Sequence, residues 1–321
     1  MHRSNLKMPQ SRGISVGRSN TLTRKLKKFW PLYLFLVPAV IYTIMFCYAP
    51  MYGVLMAFTR FKPILGILGS EWVGLYNFQR FFNMDMFKPL ILNTLGLSFY
   101  SLVAGFIFPI LLALMLNTAK SGRFAKVMQT ITYIPHFIST VIMVGIINLF
   151  FAPNLGLVSN LLNSLGILHG PLSVLLSNSA FNDLYVWSGV WQGIGWGSII
   201  YLASLTGVDP ELREAATLDG ANKFQIVRHI DIPWIMPTMM IILILSCGNL
   251  LNVGFEKVFL MQNAMNLDAS EIISTYVYKL GIRDAQYSFS AAVGLFNSVI
   301  NMIMLLAVNW ASKKLGNTGL M

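Results

Sequence analysis

Five of the twelve carboxylates of this 321-residue chain, Asp209, Glu211, Glu214, Asp219 and Asp231, fall in one short stretch. They are interleaved with helix punctuation, not with a base or a nucleophile. Asp209 suits an N-cap and Pro210 the first helical position. Glu211 and Glu214 complement the dipole of the first turns, Ala215 and Ala216 extend the helix without bulk, and Gly220 supplies a left-handed stop. The pattern predicts a helix of about two or three turns. A second amphipathic piece follows, with Phe224, Val227 and Ile230 inward, and Pro233 opens a long apolar run. The chemistry this arrangement suits is docking, because a small-residue helix with charged flanks can enter a partner's groove closely. Catalytic chemistry has no such constellation. The four histidines, at 2, 136, 169 and 229, are scattered, and the sequence has neither metal-ligand spacing nor a G-x-x-x-x-G-K-[ST] phosphate loop. The chain is therefore not expected to bind a metal or to hydrolyse ATP by itself. Cys47 and Cys247 lie in apolar runs and read as buried small hydrophobes, not as a disulfide.

A second set of polar residues is set into apolar sequence. Tyr185, Gln192 and Trp196 cluster on one helical stripe, while Trp187 and Trp191 point the other way. Gly189, Gly193 and Gly197 repeat every fourth residue, a small-residue spacing that reads as close helix packing. Asn249, Asn252 and Glu256 share a face, as do Asn297 and Asn301. Amides and acids at membrane depth are costly and face the bundle interior or a water-filled path. Two readings stay open for each: interhelical hydrogen bonding or contact with a substrate. Glu256 and its neighbour Lys257 fall near the outer end of their run and read as a rim or a docking contact.

The elements that must position these residues are membrane spans. Hydrophobic residues make up 55% of the chain and charged residues only 11%, against about 25% charged in soluble domains. That excludes an ordinary soluble enzyme and a disordered chain. Spans are expected near 31–58, 89–117, 131–151, 183–205, 234–259 and 287–311, each long enough to cross the hydrocarbon core. The uncharged stretch 152–180 is rich in Asn, Gly and Pro, with Leu157, Val158, Leu161, Leu162 and Leu165 on one face, and reads as an interfacial segment. Sixteen of the 23 Lys and Arg then fall on the side of the N-terminus, which the positive-inside bias places in the cytoplasm with the C-terminus. The whole net charge of +11 belongs to that side. The basic tail 1–28 is an orientation signal and inner-leaflet contact; with no aromatic residue before Phe29, nucleic-acid binding is the remote alternative. The uncharged run behind it is too long for a cleaved signal peptide.

The series Glu214-Ala215-Ala216, three residues, Gly220, nine residues, Ile230, one residue, Ile232, Pro233 resembles the EAA loop of ABC importer permeases, with Ile232 where leucine is usual. The segment from Pro50 to Phe82, with Gly69-Ser70-Glu71-Trp72-Val73-Gly74-Leu75-Tyr76-Asn77-Phe78, resembles the first outer loop of permeases for oligosaccharides and polysaccharide fragments, bacterial alginate importers among them. The resemblance implies an all-α, polytopic fold of six transmembrane helices of the type I importer kind, residues 29–315, with its coupling loop at 209–233. It implies a second homologous permease, a dimer of ATPase subunits that use ATP and magnesium, and a solute-binding protein, all at the bacterial cytoplasmic membrane. Glu214, Ala215, Ala216, Asp219, Gly220, Ile230 and Pro233 become the ATPase-coupling residues. ATP-driven closure of the ATPase pair moves the coupling helix and rocks the spans between inward- and outward-facing states. The substrate pathway is assigned to Tyr185, Gln192, Trp196, Asn249, Asn252, Asn297 and Asn301.

Two outer loops, 62–87 and 262–286, are candidate docking surfaces. Phe78, Phe81 and Phe82 beside Arg80 read in addition as an interfacial anchor. An importer for another solute and an ion-coupled carrier are the alternative functions. Against the carrier stand the expected uncharged midplanes and the lack of a clear internal repeat.

Overall fold

The structure is a computed structural model that describes residues 20–119, 121–167, 172 and 174–314, with side chains from residue 28. Residues 1–19 of the basic tail, Lys120, residues 168–171, residue 173 and residues 315–321 lie outside the described residues.

The chain divides into two compact units, Met1–Gly53 and Val54–Met321. In the first, helix α1 (Asn20–Thr43) carries Pro31 and Pro38 and is kinked at Phe29. It continues through π and 3-10 turns, so that Lys28–Phe58 is one apolar helical run, as expected for a first span. Its side chains are exposed within this unit, Cys47 among them, which corrects the expectation that this thiol is buried.

The second unit opens with a hairpin, β1 (Thr59–Lys62) against β2 (Ser70–Trp72), followed by a short helix α2 (Tyr76–Phe82). The long α3 (Phe87–Asn117) comes next, then α4 (Gly122–Tyr133) and α5 (Thr140–Phe151). The expected third span, 131–151, is not one helix: the α4 and α5 segments meet at 98° across Pro135, and Ser139 caps the second. Helix α6 (Leu157–Ser164) is only eight residues long and leaves Leu157, Leu161 and Leu165 exposed, as suits an interfacial piece. Helix α7 (Asn178–Leu205) follows. It has a span's length, yet it is not among the helices apolar enough to count as one by composition, because glycine, serine, glutamine and tryptophan dilute it.

The remaining elements are α8 (Pro210–Leu218), α9 (Lys223–Gly248), α10 (Phe255–Met261), α11 (Ile273–Tyr278) and α12 (Tyr287–Lys314). Four runs, Lys28–Phe58, α3, α9 and α12, are long and apolar enough to cross a membrane, and the bent α4–α5 pair is so only when its two helices are taken together. Two features of α9 depart from expectation. It begins at Lys223, ahead of Pro233, and a π turn at Val227–Asp231 precedes that proline, which has no N–H to continue the ladder. The expected span 234–259 also breaks after Gly248. Residues 249–254 are irregular before α10 resumes, and Leu251 N donates to Asn301 Oδ1 at 2.9 Å to hold the break. Irregular backbone at membrane depth is tolerated only where protein buries it or it lines a water-filled cavity.

Helix α3 is the spine of this unit and packs most extensively on α7. It contributes to all three core clusters. Ile110, Ala113 and Leu114 meet Tyr201, Leu205 and Ile235 near α8. Leu97 and Ala104 meet Met143, Ile147, Phe181 and Val258. Leu90 meets Phe81, Ile273, Phe289 and Val293 at the far end. Phe81 is fully buried, and Arg80 stacks its guanidinium 4.5 Å from the Phe289 ring centroid. Of the three phenylalanines in 78–82, Phe81 closes a core, Phe78 is half-buried and Phe82 is exposed.

Candidate functional site

The first part of the site is the loop between α7 and α9. Asp209 Oδ1 accepts from Glu211 N at 2.9 Å, which caps α8. The helix ends where Gly220 takes φ +84°, and Ala221 N returns to Ala216 O at 2.9 Å. A capping box then starts α9: Gln225 N donates to Asn222 Oδ1 at 3.0 Å and Asn222 N to Gln225 Oε1 at 2.7 Å. Glu214, Ala215, Asp219, Gly220 and Pro233 are exposed, while Ala216 and Ile230 are half-buried. Ala216, Asp219, Gly220 and Ile230 share a groove of about 390 Å³ with Gln225 and His229. Val227 and Ile230 pack against the core as expected, but Phe224 does not; it is 70% exposed, pointing away from the bundle.

What holds this loop rigid was not visible in the motif. Arg213, on the inner face of α8, donates to Asp231 Oδ1 at 2.7 Å from Nη2 and 3.1 Å from Nε. Asp231 is only 1% exposed and also accepts from Asn117 Nδ2 at 3.4 Å. Lys223 Nζ donates to Thr118 O at 2.7 Å, and Trp234 Nε1 to Ser204 O at 2.9 Å. The exposed face of α8 is thereby tied to the ends of α3, α7 and α9. An i-to-i+18 charge pair gives no local signal; the one hint in the sequence is a charge, Asp231, standing two residues before an apolar run.

The second part of the site is a pair of cavities between α3, α7 and the broken end of α9. One, of about 310 Å³, is lined by Ser98, Ser101, Tyr185, Asn249, Asn252 and Gly254 among others. The other, of about 300 Å³, is lined by Ser101, Tyr185, Gly189, Gln192, Gly193 and Lys257 among others. Ser101, Gly105 and Tyr185 belong to both walls. The expected pathway residues separate here. Tyr185, Gln192, Asn249 and Asn252 line the cavities, and Asn297 joins them by donating from Nδ2 to Asn252 Oδ1 at 3.0 Å. Gln192 also donates to Ile138 O at 2.7 Å, filling the carbonyl freed by the bend between α4 and α5. Trp196 lines neither cavity; it stacks on His136 at 4.5 Å between centroids. Asn301 is buried and occupied by the backbone of Leu251.

The glycine stripe is corrected as well. Gly189, Gly193 and Gly197 line the second cavity, and a Cβ on Gly193 would meet nothing within 4 Å. Gly197 packs closely on a helix, with Pro109 Cγ 3.1 Å from its missing Cβ, and Gly189 faces the end of the Lys257 side chain. The tightest approach on α7 is Gly195, where a Cβ would run into Thr132 O. Glu256 is exposed, as a rim residue should be, but Lys257 is not at a rim. It is 8% exposed and turned into the second cavity.

The site thus has two parts, an exposed, capped helix and an interior pair of cavities with polar walls. The family model described as "Binding-protein-dependent transport system inner membrane component" matches residues 105–317. The chain is 42% identical over 289 residues to the polygalacturonan/rhamnogalacturonan transport system permease protein YteP of Bacillus subtilis (strain 168), covering 90% of this chain and 89% of that one. It is 41% identical to Protein LplB of the same organism, over 96% of each chain. Among solved structures, a chain of a bacterial alginate ABC transporter in complex with an alginate pentasaccharide-bound periplasmic protein superposes with TM-score 0.85 at 37% identity, over 93% of this chain and 99% of that one. A second, of an ABC transporter involved in the import of the acidic polysaccharide alginate, gives TM-score 0.84 at 38% identity. The chain belongs to the binding-protein-dependent transport system inner membrane component family, the non-catalytic permease subunits of ABC importers.

Proposed function

We propose that this chain is one of two permease subunits of an ATP-driven importer for oligosaccharides cut from acidic polysaccharides, of the polygalacturonan or alginate kind. The observation that carries the mechanism is the α8 loop. Its exposed face presents Glu214 and Ala215, and its buried face is locked to the bundle through Arg213 and Asp231. A load applied to such a helix is passed to α3, α7 and α9 instead of being lost in loop motion. ATP and magnesium are used by a dimer of ATPase subunits whose cleft receives α8. A second homologous permease completes the path, and a solute-binding protein delivers the sugar from outside. Alternating access passes the sugar through the cavities beside Tyr185, Gln192, Asn249 and Asn252.

The chain crosses the cytoplasmic membrane six times in this reading, with α7 as the polar fourth span and both termini inside. The positive-inside bias supports that orientation. The substrate class draws on what the relatives transport and on cavity walls that mix hydroxyls, amides and a tyrosine ring, a mixture suited to sugar edges and faces. The test is co-purification followed by transport. The chain should purify with an ATPase subunit, and Glu214→Lys should abolish uptake while membrane insertion is retained. Normal uptake by that variant, in a complex that keeps its ATPase, contradicts the coupling assignment.

A further inference from the structure

Lys257 is the one buried ammonium in the cavity walls, and no carboxylate of the described residues lies within ion-pair distance of it. Its Nζ donates to Tyr185 O at 2.8 Å and sits 4.7 Å from the centroid of the same tyrosine ring. One of its three protons is used in this way, and no other hydrogen bond is formed to it among the described residues. A Cβ on Gly189 would lie 3.3 Å from Nζ, so glycine leaves the ammonium its room. Two hydroxyls of the cavity walls are also unfilled: Ser101 Oγ, on the wall shared with the cavity of Lys257, and Ser98 Oγ, in the adjoining first cavity, have no hydrogen-bond partner. A buried cation that lacks a counter-charge is expensive, as is an unpaired hydroxyl, and both are kept inside a membrane protein where a ligand meets them.

We propose that Lys257 is the specificity-determining cation of the pathway, pairing with the carboxylate of a hexuronate unit while Ser101 and Ser98 take ring hydroxyls. The tyrosine ring and carbonyl hold the ammonium in place when the cavity contains no sugar. The assignment rests on the acidic-oligosaccharide reading above and deepens it: the relatives' names give a substrate class, and Lys257 gives the group that would recognise its charge. A purely structural role, tying α10 to α7, is the competing explanation.

The experiment uses the complete complex, with its partner permease, ATPase subunits and binding protein, in vesicles loaded with ATP. Uptake of trigalacturonate is compared with that of its fully methyl-esterified, uncharged form. Lys257→Gln should raise the KM for trigalacturonate about 10- to 100-fold, the worth of one charge-assisted hydrogen bond, while Lys257→Arg keeps most of the affinity. Gly189→Ala, which crowds Nζ without removing it, should raise the same KM. ATPase activity stimulated by the binding protein should stay near that of the wild type in all three. The methyl ester should be either a poor substrate of the wild type or one whose KM the variants leave unchanged. An unchanged KM for trigalacturonate in Lys257→Gln and Gly189→Ala overturns the role of Lys257 alone. A KM that rises equally for acid and ester, or a loss of ATPase activity in step with uptake, assigns Lys257 to structure. If Lys257→Gln does not assemble, Gly189→Ala decides between these outcomes. A wild-type complex that imports neither trimer overturns the substrate class itself.

Discussion

Gly193 and Gly195 stand two residues apart on α7 and meet opposite surroundings. The first opens onto a cavity; the second is pressed against the backbone of Thr132. Gly195→Ala therefore forces a Cβ into a carbonyl that cannot step aside, and it should destabilise the complex by about 1–3 kcal/mol. Gly193→Ala should leave stability within about 0.5 kcal/mol. Thermal unfolding of the detergent-solubilised complex measures both, and equal melting temperatures contradict the packing described here. Spacing alone could not separate these residues. A glycine every fourth position marks a face without side chains, and such a face serves a close helix contact or a cavity equally well. The polar residues show the same limit: Tyr185, Gln192 and Trp196 share a stripe in the sequence, yet Trp196 is drawn off by the stacked ring of His136. Lys257 read as a rim residue because it follows Glu256, and only the break before α10 turns it inward.

At the scale of an element, α8 was legible nearly residue by residue, because capping is local chemistry. Asp209, Pro210 and Gly220 each act within one turn of their own position. Its anchoring was not legible, because Arg213 and Asp231 meet only after the chain has turned back. Removing one member of a buried pair strands the other, at a cost of about 3–5 kcal/mol. Asp231→Ala should accordingly loosen α8, leaving ATPase activity measurable while uptake falls by an order of magnitude or more. The Arg213→Ala, Asp231→Ala double variant should lose less stability than the sum of the two single losses, and strict additivity in that cycle contradicts a direct coupling. Gly220→Asp adds a side chain at φ +84°, where most residues pay roughly 1 kcal/mol. It should abolish uptake with insertion intact. The breaks in the spans escaped the sequence for a different reason. Hydropathy averages over both 134–139 and 249–254, where no charge interrupts the run, so each broken element read as one helix.

At the scale of the whole molecule, the charge asymmetry and the motif point to one face. In the proposed six-span topology, all five carboxylates of the 209–231 stretch lie on the side that carries sixteen of the 23 basic residues, and they lie in the loop that presents α8. The described spans leave many large apolar side chains exposed, from Leu92 and Phe99 on α3 to Met302 and Leu306 on α12, as surfaces that meet lipid or another subunit do. Fold class and family were readable at this scale because they depend on counts of apolar residues and on one short motif. The cavities were not, because they exist only where three helices fail to fill the space between them. The reading proposed above is that ATP-driven motion of the ATPase pair, passed on through α8, drives the sugar across. It is tested by uptake of labelled trigalacturonate into vesicles holding the complete complex, with internal ATP and with proton and sodium gradients collapsed. Uptake should require both ATP and the binding protein and should persist without either gradient; uptake that follows an ion gradient and proceeds without ATP would contradict the account.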